Sequence, residues 1–273
     1  MNVAEAILEA TQRLTATSDT ARLDAEVLMA HCLNASRSQM LVRLMRESAP
    51  DGFSQAVERR AAHEPVAYIT GKQEFFGHEF AVEPGILIPR SDSETLVEAA
   101  LELSAAPSRV LDLGTGSGAL LISVLTQRPQ ARGVGVDASP TAIRVAQRNA
   151  VKLGVADAAD FHLRDWREAG WSYDLGEFDL ILCNPPYVEE DANLAPDVRD
   201  FEPGSALFSG GEGLDEYRRV IPQLRSVMTP SAIALLEIGA TQANAVSELA
   251  EKAGFVTALR QDLANRPRVV ILS

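Results

Sequence analysis

Two short stretches carry residue types whose spacing points to chemistry rather than packing. The first is Asn184-Pro185-Pro186-Tyr187, directly after the apolar run Phe178–Cys183. Proline donates no N–H and fixes φ. Two in succession make a stiff turn, which leaves the Asn184 side-chain oxygen and the Pro185 carbonyl free to accept hydrogen bonds. Such a pair suits a planar NH₂ group. The lone pair of an amide nitrogen is delocalised, and breaking that conjugation by rotation costs about 18–20 kcal/mol. Two acceptors on the N–H bonds raise electron density on nitrogen and aim its lone pair at an electrophile. The gain accelerates reaction only where it is larger in the transition state than in the ground state. Tyr187 can wall one face of the planar group.

The second stretch is Val110-Leu111-Asp112-Leu113-Gly114-Thr115-Gly116-Ser117-Gly118. An apolar run enters three alternating glycines, and a helical pattern follows. Glycine permits positive φ and close approach of a ligand to the backbone, and a helix N-terminus offers free N–H groups. Asp137 closes the next apolar run, where a carboxylate can accept from a ribose diol. Gly114-x-Gly116-x-x-Ala119 also satisfies the dinucleotide pattern, so a nicotinamide enzyme stays open on this loop alone. Asp112, placed to hold an ammonium group through backbone or water, and the third glycine favour S-adenosylmethionine.

These residues need a scaffold, and the surrounding pattern supplies one. Apolar runs at 109–113, 133–136, 161–163, 178–183, 232–236 and 269–272 alternate with helical stretches at 119–126, 139–153, 214–228 and 242–253. That alternation predicts an α/β fold with a largely parallel, doubly wound sheet. Ligands in such sheets bind beyond the carboxyl ends of strands, so the Asn184 turn and the glycine loop should face each other. Residues 1–72 read instead as a small helical bundle, with segments at 3–14, 20–33, 36–45 and 53–62 and caps such as the Ser-Asp-Thr cluster before the second. Residues 73–90 read as a β-hairpin linker, and 91–273 as the α/β domain. Ser93 is expected to cap a helix running to Leu103, with Glu94 in its first turn.

The composition narrows the function classes. Formal net charge is −13, the wrong sign for a protein that neutralises many phosphates, so no direct nucleic-acid binding is expected. Two distant cysteines exclude a disulfide scaffold and a cysteine zinc site. The histidines show no metal-binding spacing. Cys183 reads as a small packed strand residue rather than a nucleophile. The first residues lack the pattern of a signal peptide, and no run is long and apolar enough to span a bilayer. A cytoplasmic, metal-free monomer is the expectation.

Together the motifs resemble class I methyltransferases of planar amino groups, and more specifically the HemK/PrmC family of protein-(glutamine-N5) methyltransferases. The resemblance spans nearly the whole chain. It includes Gly71, Glu74-Phe75-Phe76, Leu87-Ile88-Pro89-Arg90, Asp92, Glu94, the glycine loop, Asp137, Asn184 to Tyr187, Phe201-Glu202-Pro203, Leu235-Leu236-Glu237-x-Gly239 and Asp262 through Arg268. The family's usual proline and threonine beside Asp92 are here Ser91 and Ser93. The resemblance implies a Rossmann-like methyltransferase domain behind a helical substrate-recognition domain. It implies methyl transfer from S-adenosylmethionine to the glutamine of the Gly-Gly-Gln loop of peptide chain release factors, leaving S-adenosylhomocysteine. Asp112, Gly114, Thr115, Gly116, Ser117, Gly118, Asp137, Asp165, Trp166 and Asn184 would hold the cofactor, with Trp166 able to stack on adenine. Asn184, Pro185, Pro186 and Tyr187 would form the catalytic slot, and Arg90 would contact substrate or pair with Glu202 or Asp92. The alternatives are glutamine methylation of a ribosomal protein, and adenine-N6 methylation of nucleic acid.

Acids crowd the segment around the slot: Glu168, Asp174, Glu177, Asp179, Glu189, Glu190, Asp191, Asp197, Asp200 and Glu202, with Arg199 the lone base. Such a belt is expected to steer a basic protein partner.

Overall fold

Every central strand of the main sheet alternates its side chains between two buried faces. In β3 (Arg109–Leu113), Leu111 and Leu113 enter one core while Val110 enters the other; in β6 (Phe178–Cys183), Ile181 and Cys183 share the first core and Leu180 and Leu182 the second. A period of two with both faces apolar is what a sheet covered by helices on both sides requires. The computed structural model describes residues 1–273.

Strands β1 (Lys72–Phe75) and β2 (His78–Ala81) form a two-stranded hairpin. With β3 and β6, the main sheet contains β4 (Arg132–Asp137), β5 (Ala159–Leu163), β7 (Met228–Glu237), β8 (Thr257–Gln261) and β9 (Pro267–Leu272). Its order is β5-β4-β3-β6-β7-β9-β8. The pairings from β5 through β7 are parallel, while β9 is antiparallel to both β7 and β8. The chain steps outward from β3 to β4 and β5, then returns to place β6 on the other side of β3. This reversal opens a crevice at the carboxyl ends of β3, β4 and β6.

The helices Glu94–Leu103, Ala119–Gln127 and Pro140–Lys152 cover one face, contributing Leu96, Val97, Leu121, Ile122 and Ala146. The other face is covered by Asp215–Val220, a 3-10 continuation through Val227, and Ala243–Lys252, contributing Tyr217, Ile221, Leu224 and Val246.

The chain folds as two units: Met1–Lys72 with Leu194–Phe201, and Gln73–Asn193 with Glu202–Ser273. The first has its own core of Val3, Ile7, Leu14, Leu28, Met29, Met40, Phe53, Val57 and Ile69. Its helices are Val3–Leu14, Ala21–Cys32, Phe53–Ala61 and Val66–Thr70, the last ending at left-handed Gly71. The expected helix at 36–45 is a turn of α-helix, Arg37–Gln39, running into a π-turn, Met40–Leu44. Buried Arg60 pairs with buried Asp24 at 2.7 Å and reaches Asp197 at 3.5 Å.

Three local expectations are corrected. Thr20 makes no side-chain cap; Asp24 instead accepts from the hydroxyls of Ser18 and Thr20. The hairpin expected over 73–90 ends at Ala81. Phe75 and Phe80 enter the core of the second unit, and buried Asn149 accepts from Ala81 N–H and donates to the carbonyls of Ala81 and Ser117. Ser93 precedes its helix without capping it. No helix is long and apolar enough to cross a membrane.

Candidate functional site

The crevice holds a cavity of about 400 Å³, within the range of small-molecule sites. Its floor is the glycine loop. Gly114, Gly116 and Gly118 all have positive φ. The N–H groups of Gly114 and Thr115 both donate to the Val136 carbonyl, and Gly118 donates to Thr115. The loop is thereby folded over the end of β4. A Cβ on Gly114 would stand 3.1 Å from the Trp166 ring, and one on Gly118 would stand 2.7 Å from Ile122 Cδ1. Glycine is therefore required here by both conformation and space.

Asp137 closes β4 and ties the loop to the next helix. One carboxylate oxygen accepts from Gly116 N–H at 2.9 Å, the other from Ser139 N–H at 2.8 Å. Each oxygen keeps a lone pair for a ligand. Burial raises its pKa, and the backbone donors partly offset that. Asp112 is fully buried beneath the loop. Its Oδ2 accepts from the Thr115 hydroxyl at 2.7 Å, while Oδ1 has no partner. Desolvation pushes its pKa up to about 7. An orphaned acidic oxygen beneath a helix N-terminus calls for a cationic or donor group.

Thr115, Ser117, Asp165 and Trp166 also line the cavity with Gly114, Gly116 and Asp137, whereas Asp112 and Gly118 support it from behind. The Asp165 carboxylate pairs with Arg167, which lowers its pKa. The Trp166 indole N–H donates to Glu216 at 2.5 Å, so the ring is fixed against Gly114.

The opposite wall comes from the Asn184 turn. Asn184 and Pro186 line the cavity, while Pro185 and Tyr187 do not. The Asn184 amide nitrogen donates to the Ser93 hydroxyl at 3.3 Å. Its oxygen takes no hydrogen bond within the chain. Tyr187 turns its hydroxyl away to Glu237 at 3.2 Å, and its carbonyl accepts from Gln242 at 3.0 Å. Burial and the Glu237 charge push the Tyr187 phenol above its ordinary pKa. Cys183 is completely buried and its thiol pKa is raised by desolvation, which suits a packing residue.

Arg90 lines the cavity and pairs with buried Glu202, whose carboxylate also accepts from Ile88 N–H at 3.1 Å. Glu202 thus holds Leu87, Pro89 and Arg90 in place as a cavity wall. Sequence reading gave Glu202 a place in a family motif, in the acidic belt and as a pairing partner of Arg90, and missed Gln242, Asn149 and Glu216. Nothing local marks these as site residues; their partners are remote in sequence.

A sequence model of the PrmC N-terminal domain matches residues 5–71, and one of a methyltransferase domain matches 105–202. The chain is 41% identical to the release factor glutamine methyltransferase of Cereibacter sphaeroides, over 99% of this chain and 98% of that one. It is 41% identical to that of Moorella thermoacetica, over 93% and 91%. The chain belongs to the release factor glutamine methyltransferase family. A Pyrococcus furiosus methyltransferase shares the fold, with a TM-score of 0.53 and 15% identity over 72% of this chain and 89% of that one. SMU.776, solved with SAH, gives a TM-score of 0.53 and 13% identity over 72% and 54%. For this family member, the likeness to these solved structures shows the fold alone.

Proposed function

We propose that this chain methylates the side-chain amide nitrogen of the glutamine in the Gly-Gly-Gln loop of peptide chain release factors, giving N5-methylglutamine. The observation that carries the reading is Asn184. Its uncommitted amide oxygen stands at the carboxyl end of β6, on a cavity floored by the glycine loop, in a chain that matches release factor glutamine methyltransferases from end to end.

The cavity residues fit S-adenosylmethionine. Asp137 offers lone pairs to ribose hydroxyls, and the left-handed glycines open the loop to a close ligand. Asp165 and Trp166 line the same end, and the orphaned Asp112 oxygen beneath the loop suits a cationic donor such as an ammonium group, which would favour its ionised form. When bound, S-adenosylmethionine supplies a methyl group made electrophilic by its sulfonium.

The chain's own residues prepare the nucleophile. Asn184 Oδ1 and the Pro185 carbonyl accept from the two N–H bonds of the glutamine amide, which fixes its plane. The proline pair keeps the acceptors from relaxing away, so the arrangement is built before substrate arrives. Pro186 presses on the planar group. No side chain acts as general base. The nitrogen becomes acidic once alkylated, and its proton leaves to solvent. The reading takes the chain as a monomer that works in the cytoplasm with translation termination. The net charge of −13 favours a protein substrate over nucleic acid.

The test is incubation with labelled S-adenosylmethionine and a folded release factor, beside a release factor whose loop glutamine is replaced. Mass spectrometry should find one added methyl group on that glutamine, absent with Asn184→Ala. Label on a ribosomal protein or on nucleic acid instead would overturn the choice of substrate.

A further inference from the structure

Proline has no N–H, so neither Pro185 nor Pro186 can tie the Asn184 turn down from within. The turn is stiff, and its place is set at its two ends. The leading end is β6, where Cys183 is in register with Leu113 on one side and Leu236 on the other. The trailing end is Tyr187. Fixed φ at both prolines makes the turn a short lever: a shift of the Tyr187 carbonyl carries back to the Pro185 carbonyl and Asn184.

One buried side chain clasps the trailing end. Gln242 stands just before the helix Ala243–Lys252 and is 9% exposed. Its Nε2 donates to the Tyr187 carbonyl at 3.0 Å and to the Gly213 carbonyl at 3.2 Å, and its Oε1 accepts from Gly239 N–H at 2.9 Å. Both amide protons and the amide oxygen are thereby used. All three partners are main-chain groups of fixed polarity, since a carbonyl only accepts and an N–H only donates. The amide therefore has a single orientation. Gln242 sits where a side chain could cap its own helix, yet it makes no cap. Gly213 completes the clasp. Its φ is +66°, and a Cβ there would stand 2.2 Å from the Tyr187 carbonyl oxygen and 2.7 Å from Gln242 Nε2. Any side chain at 213 would part the two carbonyls that share the amide. Tyr187 is held separately at its phenol by Glu237. Val188, the next residue, donates its N–H to Leu207 at 2.8 Å and accepts from Ser209 N–H at 2.9 Å.

We propose that Gln242 is a positioning residue for methyl transfer, its side-chain amide clasping Tyr187 to Gly213 so that the stiff turn presents Asn184 and the Pro185 carbonyl where the substrate amide needs them. Gln242 does not line the cavity; it acts through the turn. A misplacement of about 1 Å in such an acceptor pair can cost about a hundredfold in rate. The glycine loop is held by its own main-chain bonds and by Asp137, so the cofactor end is spared. This role of Gln242 rests on the proposed function, because it explains how that acceptor pair is held in place.

The experiment compares the parent chain with Gln242→Met, Gln242→Glu and Gly213→Ala. It measures kcat and KM for a folded release factor across a pH series, cofactor affinity by calorimetry without the release factor, and melting temperature. Methionine keeps the length of glutamine and removes its polarity. In Gln242→Met, kcat should fall about tenfold while KM and cofactor affinity hold within about twofold. Gly213→Ala pushes the same carbonyl by bulk and should show the same split. In Gln242→Glu an ionised carboxylate faces two carbonyl oxygens and repels both, so at alkaline pH the rate falls below that of Gln242→Met. Burial raises the pKa of the introduced carboxyl. Once protonated, it donates to one carbonyl while its other oxygen accepts from Gly239. Its kcat relative to the parent should therefore climb as pH falls and pass that of Gln242→Met. Lost stability alone would lower the melting temperature and leave the kcat of the folded chain level with the parent at every pH.

A kcat for Gln242→Met within about twofold of the parent overturns the clasp. So does a Gln242→Glu rate in constant ratio to the parent at every pH, or a loss confined to cofactor affinity and melting temperature. The two Gln242 variants decide by themselves if Gly213→Ala does not fold. A parent chain that leaves the release factor unmethylated strikes the proposed function instead. An active parent, a dead Asn184→Ala and a fully active Gln242→Met strike the clasp alone.

Discussion

The two ends of the cavity are built by different means. The glycine end is held mainly by backbone: Gly114 and Thr115 N–H to Val136, Gly118 to Thr115, and Gly116 N–H to Asp137. Most of its parts lie within one strand-loop-helix unit and the next strand. The Asn184 end is held by buried side chains from remote segments. Ser93 meets Asn184, Glu237 meets Tyr187, Gln242 holds the Tyr187 carbonyl, and Glu202 holds Ile88 and Arg90. A pocket for one unchanging ligand can be made from main-chain geometry. Aiming two acceptors at a weak nucleophile needs side-chain polarity, and that needs a supporting shell.

This contrast makes distinct demands on variants at the two ends. The largest expected effect is at Asn184. Asn184→Ala should cut methyl transfer at least about 10²-fold, the scale of losing one preorganised polar contact, while the fold melts near the parent temperature. A variant with more than about a tenth of parent activity would place the acceptor elsewhere.

At the glycine end the expected damage is to folding and binding together. Gly118→Ala adds a Cβ 2.7 Å from Ile122 Cδ1 and 3.2 Å from Ala146 Cβ, at a φ of +82°. Strain and overpacking should cost about 1–3 kcal/mol in urea unfolding, with weaker cofactor binding by calorimetry. A loss under about 0.5 kcal/mol, the scale of an ordinary surface change, would show that the backbone there is slack.

Asp112 should separate stability from binding. Its folded-state pKa of about 7 exceeds the ordinary aspartate value of about 4. The folded chain keeps a proton that the unfolded chain gives up, so the linked stability is full below about pH 4 and is lost as pH rises through about 7. Asp112→Asn should therefore melt above the parent at about pH 8, with the gap closing toward about pH 4, yet bind cofactor more weakly. Parallel melting curves at all pH values would contradict the buried-charge account.

The smallest effect belongs to the acidic belt. Much of it is already committed: Glu202 is buried with Arg90, Asp179 accepts from Ser108 and Arg109 N–H, and Asp197 pairs with Arg60. Glu189, Glu190 and Asp191 remain exposed. Changing all three to lysine should slow release factor association and flatten its salt dependence in stopped-flow mixing, leaving kcat alone. An unchanged salt dependence would remove the steering role.

Much of the molecule was legible from sequence because it is decided over a few residues. Apolar periods of two and of three to four mark β3, β6 and the helices between, and a run of glycines can only be a loop. The exposed edge strand β8 was not legible. Thr257–Gln261 has no buried residue, so no apolar alternation betrays it, and only pairing with β9 makes it a strand. Likewise the hairpin reads as a linker until Phe75, Phe80 and Asn149 dock it onto the helices.

The sequence by itself determined the strand-loop-helix framework, the left-handed glycine positions and the stiff acceptor turn after β6, since local sterics and hydrophobic period suffice for each. Only the tertiary structure decided which way the side chains around Asn184 point. Ser93 was free, by its own sequence, to cap a helix. The register of β6 against β7 brings Glu237 to the end of the neighbouring strand, where its carboxylate accepts from the Tyr187 hydroxyl, and the Ser93 hydroxyl accepts from Asn184 instead of capping the helix.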